Sequence, residues 1–253
     1  MNVNFGGIIP LSTVDWHGHS SIVIFLNGCP FNCSYCHNYD LLKKSNSFDS
    51  EMIKKRILES KPFISSVVFL GGEPLLQIEA VEELASFAKS QNLLVGVHTN
   101  GFYPEAVLSL IQKNLADQFF IDIKAPFEVD FYETVIQVPA DQAILNIQKS
   151  LQIVDQSPIG LEIKTTVFPE IIGSADDIRK ISKWIHDHLV QKQKIKFVLQ
   201  QGQSQNSNNP VFQKMPFLSL QDLEYLADAA LEYLVDIPVF IRTQEYGQIE
   251  RKK

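Results

Sequence analysis

The sequence predicts an α/β protein whose parallel strands form a partial or full barrel of six β/α units. The first observation is that runs rich in β-branched residues alternate in strict order with amphipathic runs of helical length. The second is that no break in composition divides the 253 residues, so we expect residues 1–253 to form a single domain. The third is length, because a chain of this size buries about three quarters of its unfolded surface without disulfides.

The elements follow one another from the N-terminus without overlap. The predicted strands cover 20–27 (SSIVIFLN), 65–70 (SSVVFL), 93–99 (LLVGVHT), 117–124 (DQFFIDIK), 160–167 (GLEIKTTV), 195–201 (IKFVLQQ) and 239–243 (VFIRT). The predicted helices lie between them, at 49–60, 77–91, 104–113, 141–155, 174–189 and 218–235. Strand, helix and strand in this order form right-handed βαβ units around a parallel sheet. Active sites of such folds lie at the carboxyl ends of the strands.

The formal charge of −7 argues against a broad nucleic-acid-binding surface, because phosphate affinity comes largely from clustered lysine and arginine. The longest uninterrupted aliphatic and aromatic run, 22–26, is far too short to span a bilayer, and no signal peptide is recognised at the N-terminus. We therefore expect a cytoplasmic protein with reduced thiols and without a nucleic-acid or membrane partner. The polar segment 200–210 is predicted to be a solvated loop, with a lid or docking loop as the alternative.

The stretch GCPFNCSYCHN contains every cysteine of the chain, Cys29, Cys33 and Cys36. Because the stretch follows the first predicted strand, the three thiolates can turn toward one metal centre. A disulfide fits least, since an odd number of cysteines in a reducing compartment leaves one without a partner. Structural zinc needs a fourth ligand, either the adjacent His37 or the distant His17 or His19. An iron–sulfur cluster normally takes four thiolates, so three would leave one iron open for a substrate or cofactor.

Polar residues also follow the second predicted strand, where GGEP occupies 71–74. Two glycines permit a close backbone approach, and the carboxylate of Glu73 can accept hydrogen bonds from an ammonium group. The alternative is an ordinary strand-to-helix turn with a glutamate near the start of a helix. The third predicted strand ends similarly, with HTNG at 98–101.

Asp122 and Lys124 share one face of the fourth predicted strand, while Ile121 and Ile123 share the other. We expect the isoleucines to face the outer helices and the charged pair to face the lumen. Charges inside a barrel are unfavourable unless they satisfy each other or a ligand, so the pair is either a structural ion pair or part of a site. The fifth predicted strand likewise places polar side chains on one face, at Glu162, Lys164 and Thr166.

GCPFNCSYCHN, GGEP, HTNG and DIKAP, in that order, resemble the radical S-adenosylmethionine (SAM) superfamily, and within it the activating enzymes of glycyl-radical enzymes. With VFIRTQEYG near the C-terminus, the chain is most similar to the activators of anaerobic ribonucleoside-triphosphate reductase. The resemblance implies a radical SAM core with one 4Fe–4S cluster on Cys29, Cys33 and Cys36. SAM would bind the fourth iron through its amino and carboxylate groups, and the reduced cluster would cleave it to methionine and a 5′-deoxyadenosyl radical.

The cofactor-binding residues that the resemblance implies are Tyr35, His37, Gly71, Gly72, Glu73, Asn100, Asp122 and Lys124. Tyr35 would lie near the adenine, and Gly72 and Glu73 would bind the amino group of SAM. Asn100, Asp122 and Lys124 would contact SAM or line its pocket. Asp122 and Lys124 would be the catalytic pair, because they would hold SAM in a fixed orientation.

The chain departs from the pattern of pyruvate formate-lyase activators at two places. His98 stands where those proteins usually have the aspartate of Asp-Thr-Asn-Gly, and DWHG (15–18) stands where they have D-x-P-G. The first departure removes a carboxylate that is ascribed to a cation site, so the sequence leaves open whether a monovalent cation binds.

The expected protein substrate is a glycyl-radical enzyme, namely anaerobic ribonucleoside-triphosphate reductase, with an electron donor such as flavodoxin or ferredoxin as a further partner. With one cluster using all three cysteines, none is left for an auxiliary cluster. Two alternatives stay open. One is a radical SAM enzyme that acts on a small molecule, similar to a deazaguanine synthase. The other is a zinc-stabilised interaction protein.

Overall fold

The computed structural model describes residues 1–169, 171–203, 205, 207 and 209–252. Within them the strands are β1 (Asn2–Ser12), β2 (Ser21–Leu26), β3 (Ser47–Asp49), β4 (Ser66–Gly71), β5 (Leu94–Thr99), β6 (Gln118–Asp122), β7 (Gly160–Val167), β8 (Ile195–Gln201), β9 (Val239–Thr243) and β10 (Gly247–Arg251). The helices are α1 (Ser50–Ser60), α2 (Ile78–Ser90), α3 (Pro104–Gln112), α4 (Val129–Ile136), α5 (Asp141–Asp155), α6 (Ala175–His188), α7 (Pro210–Gln213) and α8 (Leu220–Leu231). Among these helices, none has the length and hydropathy needed to cross a membrane.

The strands form one sheet in the order β10-β9-β8-β7-β6-β5-β4-β2-β1-β3. From β2 to β9 all neighbours in this order are parallel. The pairs β1–β2, β1–β3 and β9–β10 are antiparallel and lie at the two sides of the sheet. In the described part of the chain β10 and β3 are free edges, so the barrel is partial. The predicted α/β fold with a partial parallel barrel is confirmed.

All the predicted strands and helices occur, with ends that differ by a few residues. The sequence reasoning missed β1, β3, β10 and α4, together with the short α7. In β1, the glycines at 6 and 7 and Pro10 interrupt any alternation of apolar and polar residues, and pairing such as Ile8 with Ile24 of β2 makes it a strand. In α4, the sequence VDFYETVI favours a strand by propensity, but burial of Tyr132 and its neighbours makes it a helix.

The two faces of β6 show how the fold orients its side chains. Phe119, Ile121 and Ile123 are fully buried in the core between the sheet and the outer helices, as predicted for the isoleucines. Phe120 points to the lumen, where its ring stacks on His98 with centroids 4.1 Å apart. Both faces are therefore covered, which is typical of parallel strands. The next lumen position, Asp122, lies at the carboxyl end of the strand.

Part of the predicted solvated loop 200–210, at positions 204, 206 and 208, lies outside the described residues. At Ser207 the structure differs from the prediction, because this side chain is buried and its hydroxyl donates to the carbonyl of Ser34 at 3.3 Å. The ring of Phe212, in α7, lies 6.3 Å from that of Tyr35, measured between centroids. The segment after β8 therefore packs on the loop that carries the cysteines.

Candidate active site at the carboxyl ends of the strands

The three cysteines lie on the loop that follows β2, and each is a partly buried free thiol. The C-terminal end of α4 fixes this loop, because the last carbonyls of a helix have no partner within the helix. The backbone N–H of Asn32 donates to the carbonyl of Ile136 at 3.0 Å, and the N–H of Ser34 donates to the carbonyl of Val135 at 3.1 Å. The helix therefore holds the middle of the cysteine loop in place.

The thiols lie in a weakly solvated environment. Burial raises the pKa of Cys29 to about 12 and the pKa of Cys33 to about 11, and it also raises the pKa of Cys36. The positive charge of Lys124 acts in the opposite direction and lowers the pKa of all three thiols. A metal that binds here must displace protons from these thiols, because the thiolate is the ligand form.

The two glycines after β4 bring this strand end against the start of the cysteine loop. A Cβ on Gly72 would lie 2.2 Å from the carbonyl oxygen of Gly28, and a Cβ on Gly71 would lie 2.1 Å from that of Leu26. The N–H of Gly72 donates to the Leu26 carbonyl at 3.0 Å, and the N–H of Glu73 donates to the Gly28 carbonyl at 2.8 Å. The close backbone approach predicted from GG therefore joins two strand ends of the protein itself.

Glu73 has a fully buried side chain whose carboxylate accepts three internal hydrogen bonds. Its donors are the N–H of Leu75 at 3.0 Å, the hydroxyl of Thr99 at 2.8 Å and the N–H of Asn100 at 2.7 Å. Burial raises the pKa of Glu73 to about 7, although these hydrogen bonds act to lower it. A carboxylate has about four acceptor positions, so roughly one stays available for a ligand.

Asn100 joins the end of β5 to the cysteine loop. Its side-chain amide lies 3.6 Å from the sulfur of Cys29, and its side-chain oxygen accepts a hydrogen bond from the N–H of Phe102 at 2.9 Å. The sequence placed Asn100 at the rim of the barrel. The structure brings it together with both Glu73 and the first cysteine.

Asp122 lies between two lysines at the mouth of the barrel. The ammonium of Lys124 is 3.2 Å from its Oδ2, and the ammonium of Lys164, from β7, is 3.5 Å from its Oδ1. Burial alone would raise the pKa of Asp122, but the two lysines outweigh burial and hold it at about 2. The expected pair of Asp122 and Lys124 is thus present. Lys164, which the sequence placed on the polar face of the fifth predicted strand, joins this pair as a third charged group.

Tyr35 and His37 have different surroundings on the cysteine loop. The Tyr35 ring packs against Phe168, after β7, with centroids 4.9 Å apart, and burial raises its pKa. His37 is exposed, and within the described residues no hydrogen bond or ring contact joins it to the other expected site residues. The structure therefore brings Tyr35 into an aromatic wall and leaves His37 at the surface.

Two structural contacts could not be inferred from motifs. The backbone N–H of Lys124 donates to the hydroxyl of Tyr132, in α4, at 3.2 Å. A ring nitrogen of His98 lies 2.8 Å from the carbonyl of Asp15, a residue of the loop between β1 and β2. Each contact links segments whose positions depend on the tertiary fold, and neither has a sequence signal of its own.

The donor set of the cysteine loop fits an iron–sulfur cluster. Three free thiols face one region with a nearby ammonium group, and each thiolate of a 4Fe–4S cluster binds a different iron. A single metal ion needs its ligands to converge on one point, and among the described residues no three His, Cys, Asp or Glu side chains do so.

Comparisons with known proteins agree with this geometry. A model of the radical SAM superfamily matches residues 23–153. A putative glycyl-radical enzyme activating enzyme of Methanocaldococcus jannaschii is 31% identical over 243 residues, which are 94% of this chain and 96% of that protein. The pyruvate formate-lyase-activating enzyme of Clostridium pasteurianum is 26% identical over 169 residues, covering 64% of this chain and 68% of that protein.

Among solved structures, a domain of the pyruvate-formate lyase-activating enzyme from Bacteroides vulgatus has a similar fold. The TM-score is 0.55 at 17% sequence identity, and the match covers 70% of this chain and 98% of that chain.

The three-cysteine loop, the partial barrel and the superfamily match together define a radical SAM enzyme. The chain belongs to the radical SAM superfamily and, within it, to the family of the glycyl-radical enzyme activating enzymes. Membership implies a 4Fe–4S cluster and SAM as cofactors.

Proposed function

We propose that this protein generates a glycyl radical on a partner enzyme, and that the partner is anaerobic ribonucleoside-triphosphate reductase. The observation that carries the proposal is the near full-length alignment with a relative whose name is that of an activating enzyme. The segment VFIRTQEYG (239–247) supports the choice of partner, because it resembles the activators of that reductase. The chain as described would act as one domain in the cytoplasm.

Cys29, Cys33 and Cys36 would hold the cluster, since they are the free thiols of the chain and share one loop. When bound and reduced, the cluster would supply the electron for reductive cleavage of SAM, the chemistry that leads to loss of a hydrogen atom from the α-carbon of the target glycine. The electron would come from a donor such as flavodoxin or ferredoxin. In this proposal the donor approaches at the surface cavity that is lined in part by Cys33 and Lys43.

Asp122 and Lys124 would orient SAM through their charges and would not transfer protons. Burial alone would lower the pKa of Lys124, but Asp122 together with neighbouring groups such as Cys33 outweighs burial and holds this pKa well above its ordinary value. Asp122, with a pKa of about 2, stays an anion at neutral pH. The two side chains can therefore bind the oppositely charged or polar groups of SAM, and a fixed orientation brings the reacting carbon close to its target.

The other expected residues would complete the pocket. Tyr35 and Phe168 form an apolar ring pair suited to the adenine. Glu73 would use its available acceptor position for the amino group of SAM, while Gly71 and Gly72 keep the strand end next to the cysteines. Insertion of a glycine-bearing loop of the partner into the mouth would exclude water from the site.

The test uses protein reconstituted with iron and sulfide without oxygen. We expect about four irons and four sulfides per chain, with the three cysteines as the protein ligands. Reduced protein, SAM and the reductase are then mixed, and electron paramagnetic resonance is recorded. A glycyl-radical doublet that disappears when the target glycine of the reductase is replaced by alanine supports the proposal.

Two other outcomes would contradict the proposal, one concerning the substrate and one concerning the metal. If no glycyl-radical enzyme of the source cell gives a signal while 5′-deoxyadenosine forms with a small molecule, the enzyme acts on that molecule, as a deazaguanine synthase relative would. Stoichiometric zinc without sulfide, in protein prepared without oxygen, would instead favour a zinc-stabilised interaction protein.

A further inference from the structure

Lys164 carries a buried ammonium group that contacts both sides of the barrel mouth. It lies 2.9 Å from Nδ1 of His98, on β5, and 3.5 Å from Oδ1 of Asp122, on β6. Its side chain is 11% exposed, so water contributes little to the solvation of this charge. Two protein acceptors therefore replace the water that the ammonium loses on burial.

The contacts of His98 determine which of its nitrogens carries the proton. Nε2 lies 2.8 Å from the carbonyl oxygen of Asp15, which can only accept a hydrogen bond, so Nε2 carries the proton and donates it. Nδ1 then keeps a free lone pair and accepts a hydrogen bond from the ammonium of Lys164. Burial and the charge of Lys164 both lower the pKa of His98 well below its ordinary value, in agreement with a neutral ring.

The loop that supplies the Asp15 carbonyl is itself held at the barrel. The Trp16 ring packs edge-on against Phe120 with centroids 5.8 Å apart, in space left by Gly96. The His98 ring in turn stacks on the Phe120 ring, with 16° between the two ring planes. Packing and the Asp15 carbonyl thus fix the direction of the Nδ1 lone pair.

Asp122 receives one ammonium on each oxygen. Lys124 approaches Oδ2 and Lys164 approaches Oδ1, so the plane of the carboxylate is defined by two cations on different segments. Removal of Lys164 would leave one oxygen without its cation and let the carboxylate rotate about its bond to the chain.

We propose that Lys164 and His98 are positioning residues for the SAM site: neutral His98 aims the ammonium of Lys164, which holds Asp122 in the orientation that SAM requires. The inference rests on the role of Asp122 in SAM binding given under the proposed function. The new element is that Lys164 provides the Asp122 carboxylate with a second cation beside Lys124. The purely structural alternative is that Lys164 only stabilises the fold.

The first experiment measures SAM affinity by equilibrium dialysis with anaerobically reconstituted protein, for wild type, Lys164→Ala and Lys196→Ala. Lys196 is the control because its exposed side chain lies at the amino end of the adjacent strand β8, away from the mouth of the barrel. We expect Lys164→Ala to weaken SAM binding roughly 10- to 100-fold, the effect of one lost charge-assisted hydrogen bond. Lys196→Ala should bind SAM as wild type does.

The second measurement separates positioning from structural support. Methylammonium chloride is added at rising concentration, because its small ammonium group can enter the space vacated in Lys164→Ala. We expect it to restore SAM affinity in that variant alone. Tetramethylammonium chloride, which has no N–H group, should restore nothing. A structural role would change the thermal midpoint without rescue of affinity by either salt.

The His98 variants test the aiming step even if Lys164→Ala does not fold. His98→Asn keeps an acceptor close to the position of Nδ1, whereas His98→Gln keeps a group near Nε2 and loses that acceptor. We expect SAM affinity within about threefold of wild type for the asparagine variant and at least tenfold weaker binding for the glutamine variant. Equal affinities in the two variants overturn the proposal, as does wild-type affinity in Lys164→Ala. Because SAM binding needs no protein partner, these results do not depend on whether a glycyl radical forms.

Discussion

Glu73 connects two strand ends and the backbone around the cysteines, because its carboxylate is the common acceptor for Leu75, Thr99 and Asn100. Two of these donors are backbone N–H groups in a region closed to water. A carboxylate that accepts several such bonds is an organising group of the site whether or not a ligand is bound. Its position explains why the motif needs a long acidic side chain directly after two glycines.

Glu73→Ala should therefore do more than weaken SAM binding. The substitution leaves the backbone N–H groups of Leu75 and Asn100 without an acceptor, at about 1–3 kcal/mol for each, so we expect the free energy of unfolding of the cluster-free chain to fall by roughly 2–6 kcal/mol. Cluster loading should also fall, because Asn100 contacts Cys29. Urea denaturation and iron analysis of reconstituted protein measure the two effects.

The matched control is Glu79→Ala, which removes an exposed carboxylate from the first turn of α2. We expect the free energy of unfolding to change by less than about 0.5 kcal/mol in this variant, as is usual for surface substitutions. Equal stability of the Glu73 and Glu79 variants would show that the three hydrogen bonds to Glu73 contribute nothing to the fold.

Several individual residues of the site could be predicted from the sequence because short motifs carry them. The three cysteines share one loop, and Asp122 and Lys124 follow from the period of a strand. Motifs do not encode contacts between distant segments, and so the partners of Glu73 and the contact of His98 with Asp15 emerge only from the fold. The roles of these residues toward SAM stay predictions.

At the scale of elements, α4 connects the cysteine loop to the end of β6. Its last carbonyls accept from Asn32 and Ser34 of that loop, and the hydroxyl of Tyr132 accepts from the backbone N–H of Lys124. The helix is followed at once by Gln137 in a left-handed conformation, with φ of 56°, which ends it next to the loop. One short helix thus positions both the cysteines and the lysine nearest to them.

Tyr132→Phe tests this connection. The variant keeps the buried ring but leaves the N–H of Lys124 without its acceptor, so we expect a loss of about 1–3 kcal/mol in the free energy of unfolding and weaker SAM binding. Tyr225→Phe, at an exposed position of α8, is the control and should change neither quantity. Unchanged SAM affinity in Tyr132→Phe would separate α4 from the site.

The elements that the sequence predicted share a strong pattern, whereas those it missed depend on their neighbours. The parallel strands β2 and β4 to β9 are apolar runs between amphipathic helices, which is sufficient for their recognition. The strands β1, β3 and β10 lie at the sides of the sheet and are largely exposed, so no apolar period marks them. The β-branched and aromatic residues of α4 favour a strand, and only packing overrides that preference.

For the whole molecule, an open sheet raises the question of what holds its last strands in place. Arg242, on β9, reaches across β8 to Glu162 on β7, with 2.8 Å between Nη2 and Oε1. The same guanidinium donates through Nε to the side chain of Gln248, on β10, at 3.1 Å. The Glu162 side chain is only 5% exposed, so this pair lies inside the barrel and couples the C-terminal hairpin to the centre of the sheet.

Arg242→Met should destabilise the entire fold, because it leaves the carboxylate of Glu162 buried without a cation. We expect the free energy of unfolding to fall by about 3–5 kcal/mol, and the double variant Arg242→Met, Glu162→Met to recover most of that loss, since apolar residues can replace a buried ion pair. Arg251→Met is the control, because Arg251 forms an equally short pair with Asp228 at the surface, at 2.8 and 2.9 Å. Exposed pairs contribute about 0–1 kcal/mol, so the control should lose little stability. Denaturation curves of wild type and the three variants measure these free energies of unfolding. Similar losses of stability for Arg242→Met and Arg251→Met would contradict the prediction. They would mean that the buried pair of Arg242 and Glu162 stabilises the fold no more than an exposed pair does.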